Sequence, residues 1–347
     1  MRRERYLEVV GAQLEGVLFS QKFRRRISLT FIVLLGLSAK CFLWLNARLD
    51  PVDLNTMSLQ RVGKKTQVTP TELISLFFAT RANSKFCSLL ETAAMNDHRV
   101  AIIGWGDVDS RRFSKTFADY VCPLDEDQIV LGADAFDTLF TPSASPSEIL
   151  SKFTQLGNDF VWSAESNMFP PFDELPTWVK LGYPQFDGRY AYLNFGAWIG
   201  RADAACHFFT MTANVLSGEL LTSQENKTAM DCDNPPHDQA AAQCVLAAET
   251  LNISSFSYTL DYENEIFHSA WLHCDDIDAS ATNYTRIKST NTKPALLHFN
   301  GDAKRCSAPY YDALVKPQAD KLIATRVQLA DDKNSFSLVP LQSLCQL

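Results

Sequence analysis

Two carboxylates three residues apart, Asp134 and Asp137, follow directly on an apolar run that comes after Gln128 and passes through Ile129, Val130 and Leu131. A short run of that kind reads as a strand buried on both faces. In open α/β sheets, ligands bind beyond the carboxyl ends of such strands. Paired carboxylates at that place suit a hard divalent cation, which is commonly shared with substrate phosphates. A strand that simply runs into a polar loop would carry the same residues, so the rest of the chain has to decide between the two.

The elements needed to position these acids are legible around them. Residues 73–80 read as a first buried strand, and 84–95 as a helix with Phe86, Leu89, Leu90 and Ala93 on one face. A second strand over 100–105, a helix over 111–120 and the strand ending at Asp134 follow. Strands alternating with helices pair in parallel through right-handed crossovers. Further on, 147–156 and 202–216 read as helices and 159–164 as a strand, with a long loop over 170–187 and a short strand over 190–194. Residues 217–237 read as a loop, 237–249 as a helix, and 254–260 and 294–299 as late strands.

The 347 residues suffice for one large α/β domain or two small ones. With 46% hydrophobic and 21% charged residues the composition is that of a globular protein. A net charge of -8 argues against a nucleic-acid partner. Ahead of the domain, a basic arm (1–26) precedes an apolar stretch over 27–45, broken by Lys40 near its far end. A spanning helix needs about 20 apolar residues; Lys40 can snorkel and Trp44 can sit in the interfacial belt. The positive-inside rule then leaves 1–26 in the cytosol and places a stem (46–69) and a domain (70–347) in the lumen. A cleaved signal peptide is the main rival. Three N-glycosylation acceptors, Asn226, Asn252 and Asn283, fit a lumenal domain. Of nine cysteines, Cys41 falls in the apolar stretch. The remaining even number points to disulfides in an oxidising compartment, with connectivity open and no CxxC zinc spacing.

At this point five segments, in order, resemble a known family. They are Asp134 to Asp137; Phe160 to Glu165 with a proline-rich loop behind it; Tyr183-Pro184 through Asp187-Gly188 to the run from Tyr192 to Gly200; Asp238-Gln239; and Leu260 to Tyr262 with Ile266-Phe267, followed by His298 to Gly301. The chain resembles, over about residues 70–315, the N-terminal glycosyltransferase domain of the procollagen lysyl hydroxylases. The resemblance implies a GT-A-like, Rossmann-like α/β fold that binds a UDP-sugar and Mn2+, in an endoplasmic reticulum or Golgi protein, and transfers glucose or galactose to a protein or glycan acceptor. It implies Asp134, Asp137 and His298 as metal ligands, and carboxylate and imidazole both suit manganese. Asp134, Asn300, Gly301, Lys304 and Gln239 would face the nucleotide sugar, and Thr80 and Trp105, at the ends of the first two strands, would hold the uridine. Asp238 and Glu165 would be the catalytic carboxylates.

The chain departs from the family in three places. The family's aspartate run before Asp-Gln is here interrupted, with Asp231, Cys232 and Asp233 ahead of Asp238. Its glycine-rich loop is reduced to Gly106, Asp107, Val108, Asp109 and Ser110. The family's large oxygenase region does not follow. Two rival readings compete with a transferase. His273-Cys274-Asp275 has the His-x-Asp form of an iron oxygenase triad, but a late third histidine is wanting apart from His298. A protein that kept the fold and lost turnover is the other.

Overall fold

The computed structural model describes residues 72–345, apart from 107–111, 143, 220, 223–228, 231, 233–234, 236, 252–255, 282–283, 315–325 and 331–335. The expected tail, anchor and stem, the three glycosylation asparagines, the Asp107–Asp109 loop, Asp231 and Asp233 all lie outside the described residues. Among the described residues no helix is long and apolar enough to cross a membrane. Thr69–Leu347 form one compact unit.

The chain runs through β1 (Leu73–Phe78), α1 (Ser84–Met95), β2 (Arg99–Ile103), α2 (Phe113–Val121), β3 (Ile129–Asp134), β4 (Thr138–Phe140), α3 (Pro146–Leu156) and β5 (Phe160–Glu165). It continues through α4 (Thr177–Gly182), β6 (Tyr192–Arg201), α5 (Ala202–Leu216), β7 (Leu221–Thr222), β8 (Ala229–Met230), α6 (Asp238–Leu251), β9 (Tyr258–Asp261) and β10 (Phe267–Ser269). The last described elements are β11 (Ile277–Ala281), β12 (Tyr284–Ile287), β13 (Leu296–His298), α7 (Ser307–Leu314), β14 (Arg326–Ala330), β15 (Phe336–Pro340) and α8 (Leu341–Cys345).

Eight strands form a mixed sheet in the order β15-β14-β2-β1-β3-β6-β5-β9. β2, β1 and β3 are parallel, as their alternation with helices requires, and β6 enters antiparallel between β3 and β5. The pleat of β1 explains why its run is apolar on both sides. Ile74, Leu76 and Phe78 face one core layer with α2, α5 and α6, while Leu73 and Phe77 face the other with α1 and α3. Local chemistry marks the helix ends. The Asn83 side chain accepts from Phe86 N–H ahead of α1, and Ser145 accepts from Glu148 N–H ahead of α3, whose Pro146 supplies the first-turn backbone angle.

Several expectations need correction. The loop over 170–187 contains a short 3-10 turn (Phe172–Glu174) and α4, which starts beside Pro176 and buries Val179. Gly182 ends α4 against α6, where any Cβ would strike the Ala247 carbonyl and Leu251. The strand expected over 190–194 instead runs from Tyr192 to Arg201. Gly196 and Gly200 look like breaks in it, yet each clears space for a ring, His298 and Phe160 respectively. The 217–237 loop holds the small β7–β8 hairpin. Strands β4 and β10, the β11–β12 hairpin and the β14–β15 hairpin had no legible signal. Three residues of β4 are too few to show a period, and β14 and β15 lie beyond the stretch that carries the resemblance.

Candidate active site

A second, three-stranded sheet, β10-β13-β4, builds the site. The chain leaves β3 at Asp134, turns through Asp137 and enters β4, whose Thr138 pairs with His298 on antiparallel β13. Asp137 O also accepts from Phe299 N–H at 2.7 Å. This pairing carries a histidine from late in the chain to the two early carboxylates. His298 Nε2 lies 3.2 Å from Asp137 Oδ1 and 3.6 Å from Asp134 Oδ2. Ligand atoms of all three residues fall within 4.8 Å of one another, the one such group of three among the described residues.

The donor set fits a divalent cation. His298 Nε2 and Asp137 Oδ1 are both buried without a hydrogen-bond partner, and a buried polar atom in that state is costly unless something occupies it. Neighbouring ligands of an octahedral cation with bonds of about 2.1 Å stand about 3 Å apart, close to the spacing seen. The ring is oriented for this task. Asn194 Oδ1 lies 2.9 Å from His298 Nδ1 and already accepts from Gly196 N–H at 3.0 Å. Nδ1 is therefore the donor, which leaves the lone pair of a neutral ring on Nε2.

Charge is concentrated here. Burial alone drives the His298 imidazole down, but Asp137 and then Asp134 outweigh it and carry its pKa up to about 10. Burial likewise pushes the Asp137 carboxyl up, yet His298 and Lys304 outweigh that and hold it below the usual range. Lys304 Nζ sits 3.0 Å from Asp137 Oδ2.

The triad lines a cavity of about 310 Å³ with Glu165, Asp238, Gln239, Asn300, Gly301 and Lys304. Glu165 ends β5 and is nearly inaccessible. Burial raises its pKa to about 7, against hydrogen bonds that favour the charged form. Its Oε1 accepts from Gln239 Nε2 at 2.9 Å and its Oε2 from Asn300 Nδ2 at 2.7 Å. Asp238 opens α6, and burial followed by the charge of Asp134 raises it to about 6.

Gln239 and Asn300, expected to face the nucleotide sugar, are committed to protein partners. Gln239 also donates to the carbonyls of Phe169 and Leu193 and accepts from Phe195 N–H. Asn300 Oδ1 accepts from Trp271 N–H at 2.9 Å. Gly301 has φ +56, and a Cβ there would run into the Trp271 ring, so glycine is required on both counts. Thr80 and Trp105 do not line the cavity. They follow β1 and β2 on the edge where Phe78 lies level with Asp134, and Trp105 is 39% exposed against Phe86 rather than buried.

Sequence reasoning missed Phe169, Phe195 and Trp271 as walls of the cavity and Asn194 as the holder of His298. Asn194 lies inside the Tyr192–Gly200 run that carries the resemblance, but its role depends on the ring it touches. Trp271 has φ +40, a strained value for a non-glycine residue, and nothing local announces it. The oxygenase-like His273 is tied to Arg189 (2.8 Å), and its neighbour Cys274 is in a disulfide with Cys306. A larger groove of about 840 Å³ lies beside Arg112, Lys115 and Asp119, but it contains none of the converged acids.

Two aspartates and a histidine thus meet at strand ends of an α/β domain, where ligands of open α/β sheets bind, and form a candidate metal site. Residues 69–215 match the family model described as the PLOD GT domain. The multifunctional procollagen lysine hydroxylase and glycosyltransferase LH3 of Pongo abelii is 28% identical over 254 residues, 68% of this chain and 31% of that protein. The same protein of Rattus norvegicus is 27% identical over 161 residues, 42% of this chain and 20% of its own length. The chain thus spans less than a third of the length of these relatives.

Proposed function

We propose that this chain is a GT-A-type, metal-dependent glycosyltransferase that moves a hexose from a UDP-sugar to a hydroxyl of a protein or glycan acceptor. The observation that carries the reading is the meeting of Asp134, Asp137 and His298, drawn from β3, the β3–β4 turn and β13, in a cavity that also holds two carboxyls of raised pKa. These three residues would hold Mn2+, and the bound cation would neutralise charge on the departing diphosphate. Lys304 supplies a second positive charge at the same mouth.

Thr80 and Trp105, at neighbouring strand ends on the edge of Asp134, would hold the uridine. The turn at Gly301 would let backbone approach the diphosphate. Asn300 and Gln239 act by holding both oxygens of Glu165, which fixes the direction of that carboxyl. Asp238 would orient or deprotonate the acceptor hydroxyl. The donor is glucose or galactose by analogy with the family. We place the domain in the lumen of the endoplasmic reticulum or Golgi, behind the N-terminal anchor. Four disulfides support maturation in an oxidising compartment.

The test is UDP release from a panel of UDP-sugars, with manganese and with chelator, on wild type and Asp137→Ala. Manganese-dependent release that the variant lacks would support the transferase. UDP binding without release from any donor, even with hydroxylysine peptides and glycans supplied, would favour a binding protein of the same fold. Release unaffected by chelator would remove the metal from the mechanism.

A further inference from the structure

Asp137 is claimed from both sides. Its side chain is 8% exposed, with His298 Nε2 on Oδ1 and Lys304 Nζ on Oδ2. A cation held by Asp134, Asp137 and His298 would meet the Lys304 ammonium on its own ligand, and like charges sharing one buried carboxylate repel. The base of Lys304 is fixed, while its stem is half-exposed and only the ion pair to Asp137 holds its tip. It lies in the short helical segment Gly301–Cys306, which the Cys274–Cys306 disulfide and the Trp271–Gly301 contact hold in place. The side chain itself is 53% exposed. An ammonium on a four-carbon stem can therefore swing off the carboxylate without moving the backbone.

Resting on the metal-site reading above, we infer that Lys304 is a resident counter-cation that covers the metal's carboxylate until a diphosphate draws it away, so that metal and nucleotide bind cooperatively. With no diphosphate present, an incoming cation displaces Lys304 into water and loses the ion pair. With a diphosphate on the cation, the ammonium exchanges Asp137 for a phosphate oxygen, and the conflict disappears. Linkage makes the effect reciprocal: each ligand strengthens the other by the same factor, for which about 5- to 150-fold is the usual range.

The experiment measures manganese affinity of the full chain by the spin resonance of free Mn2+, with and without saturating UDP, for wild type, Lys304→Met and Lys304→Arg. Lys304 is largely exposed, so the variants are expected to fold. In wild type, UDP should strengthen manganese binding about tenfold or more. Lys304→Met should bind manganese several-fold tighter than wild type when UDP is absent, and should lose most of the strengthening by UDP. Lys304→Arg should keep it. Simple repulsion by a nearby positive charge would make Lys304→Met tighter by the same factor with and without UDP, and that result overturns the inference. So does a variant no tighter than wild type when UDP is absent. Failure of every protein to bind manganese in either state would instead overturn the metal site itself, and the inference with it.

Discussion

Asn194 shows how much of the site rests on a residue that holds another side chain in place. Its side-chain oxygen fixes the His298 ring through Nδ1 and so decides which nitrogen carries the lone pair. Asn194→Leu removes that acceptor. Outer-shell losses of this kind typically weaken metal binding about 10- to 100-fold, and calorimetric titration with manganese should show that loss without unfolding. Glu165 offers a second test at this scale, through pH. Its folded pKa of about 7 lies above the ordinary 4.5. The raised value favours the folded state fully below 4.5, and that contribution is lost as pH rises through about 7. Wild type should therefore lose stability relative to Glu165→Gln between pH 4.5 and pH 7, whatever constant offset the substitution adds. Urea unfolding at pH 4.5, 6 and 8 reads the slope, and a flat difference would mean that the carboxyl is not buried as described.

Among the elements, β6 is the strand on which the site depends. It separates β3 from β5, places Asn194 and Gly196 beside His298, and shifts register against β5 between Trp162 and Ser163. Gly196→Ala sets a methyl group where the imidazole sits. Overpacking of that sort costs about 1–3 kcal/mol, and the displaced ring should lose manganese binding altogether; thermal unfolding and metal titration check the two parts separately. The same strand shows what could be read in advance. β1, α1, β3, α5 and the acids at the end of β3 carried apolar periods or caps strong enough to place them within a few residues. Only the head of β6 is legible, because Gly196 and Gly200 weaken its strand pattern until the rings that need their space are known. Asp134 and Asp137 announced themselves by position, and His298 by its Asn-Gly context. Trp271 and the protein-directed roles of Gln239 and Asn300 depend on partners far along the chain, which no local pattern carries.

At the scale of the molecule, covalent links tie late segments to early ones. Cys87–Cys345 joins α8 to α1 across 258 residues, Cys122–Cys206 joins α2 to α5, and Cys232–Cys244 closes the approach to α6. All eight cysteines after the predicted anchor are paired, as their even number suggested. Cys345→Ser should lower stability by about 2–4 kcal/mol. Metal affinity should stay unchanged, since β14 and β15 extend the sheet from β2 and not from the β3–β6 side that bears the site. Denaturant unfolding paired with metal titration would show both. The pairing of β4 with β13 has a consequence in time as well as in space. A chain still emerging from the ribosome carries both aspartates long before it carries His298. Until β13 arrives, the acids face water with no imidazole to complete them. With the proposed metal site, capture would be a late event that reports a finished domain, and nascent chains halted before Leu296 should pass unretained over an immobilised-manganese column that retains the complete protein.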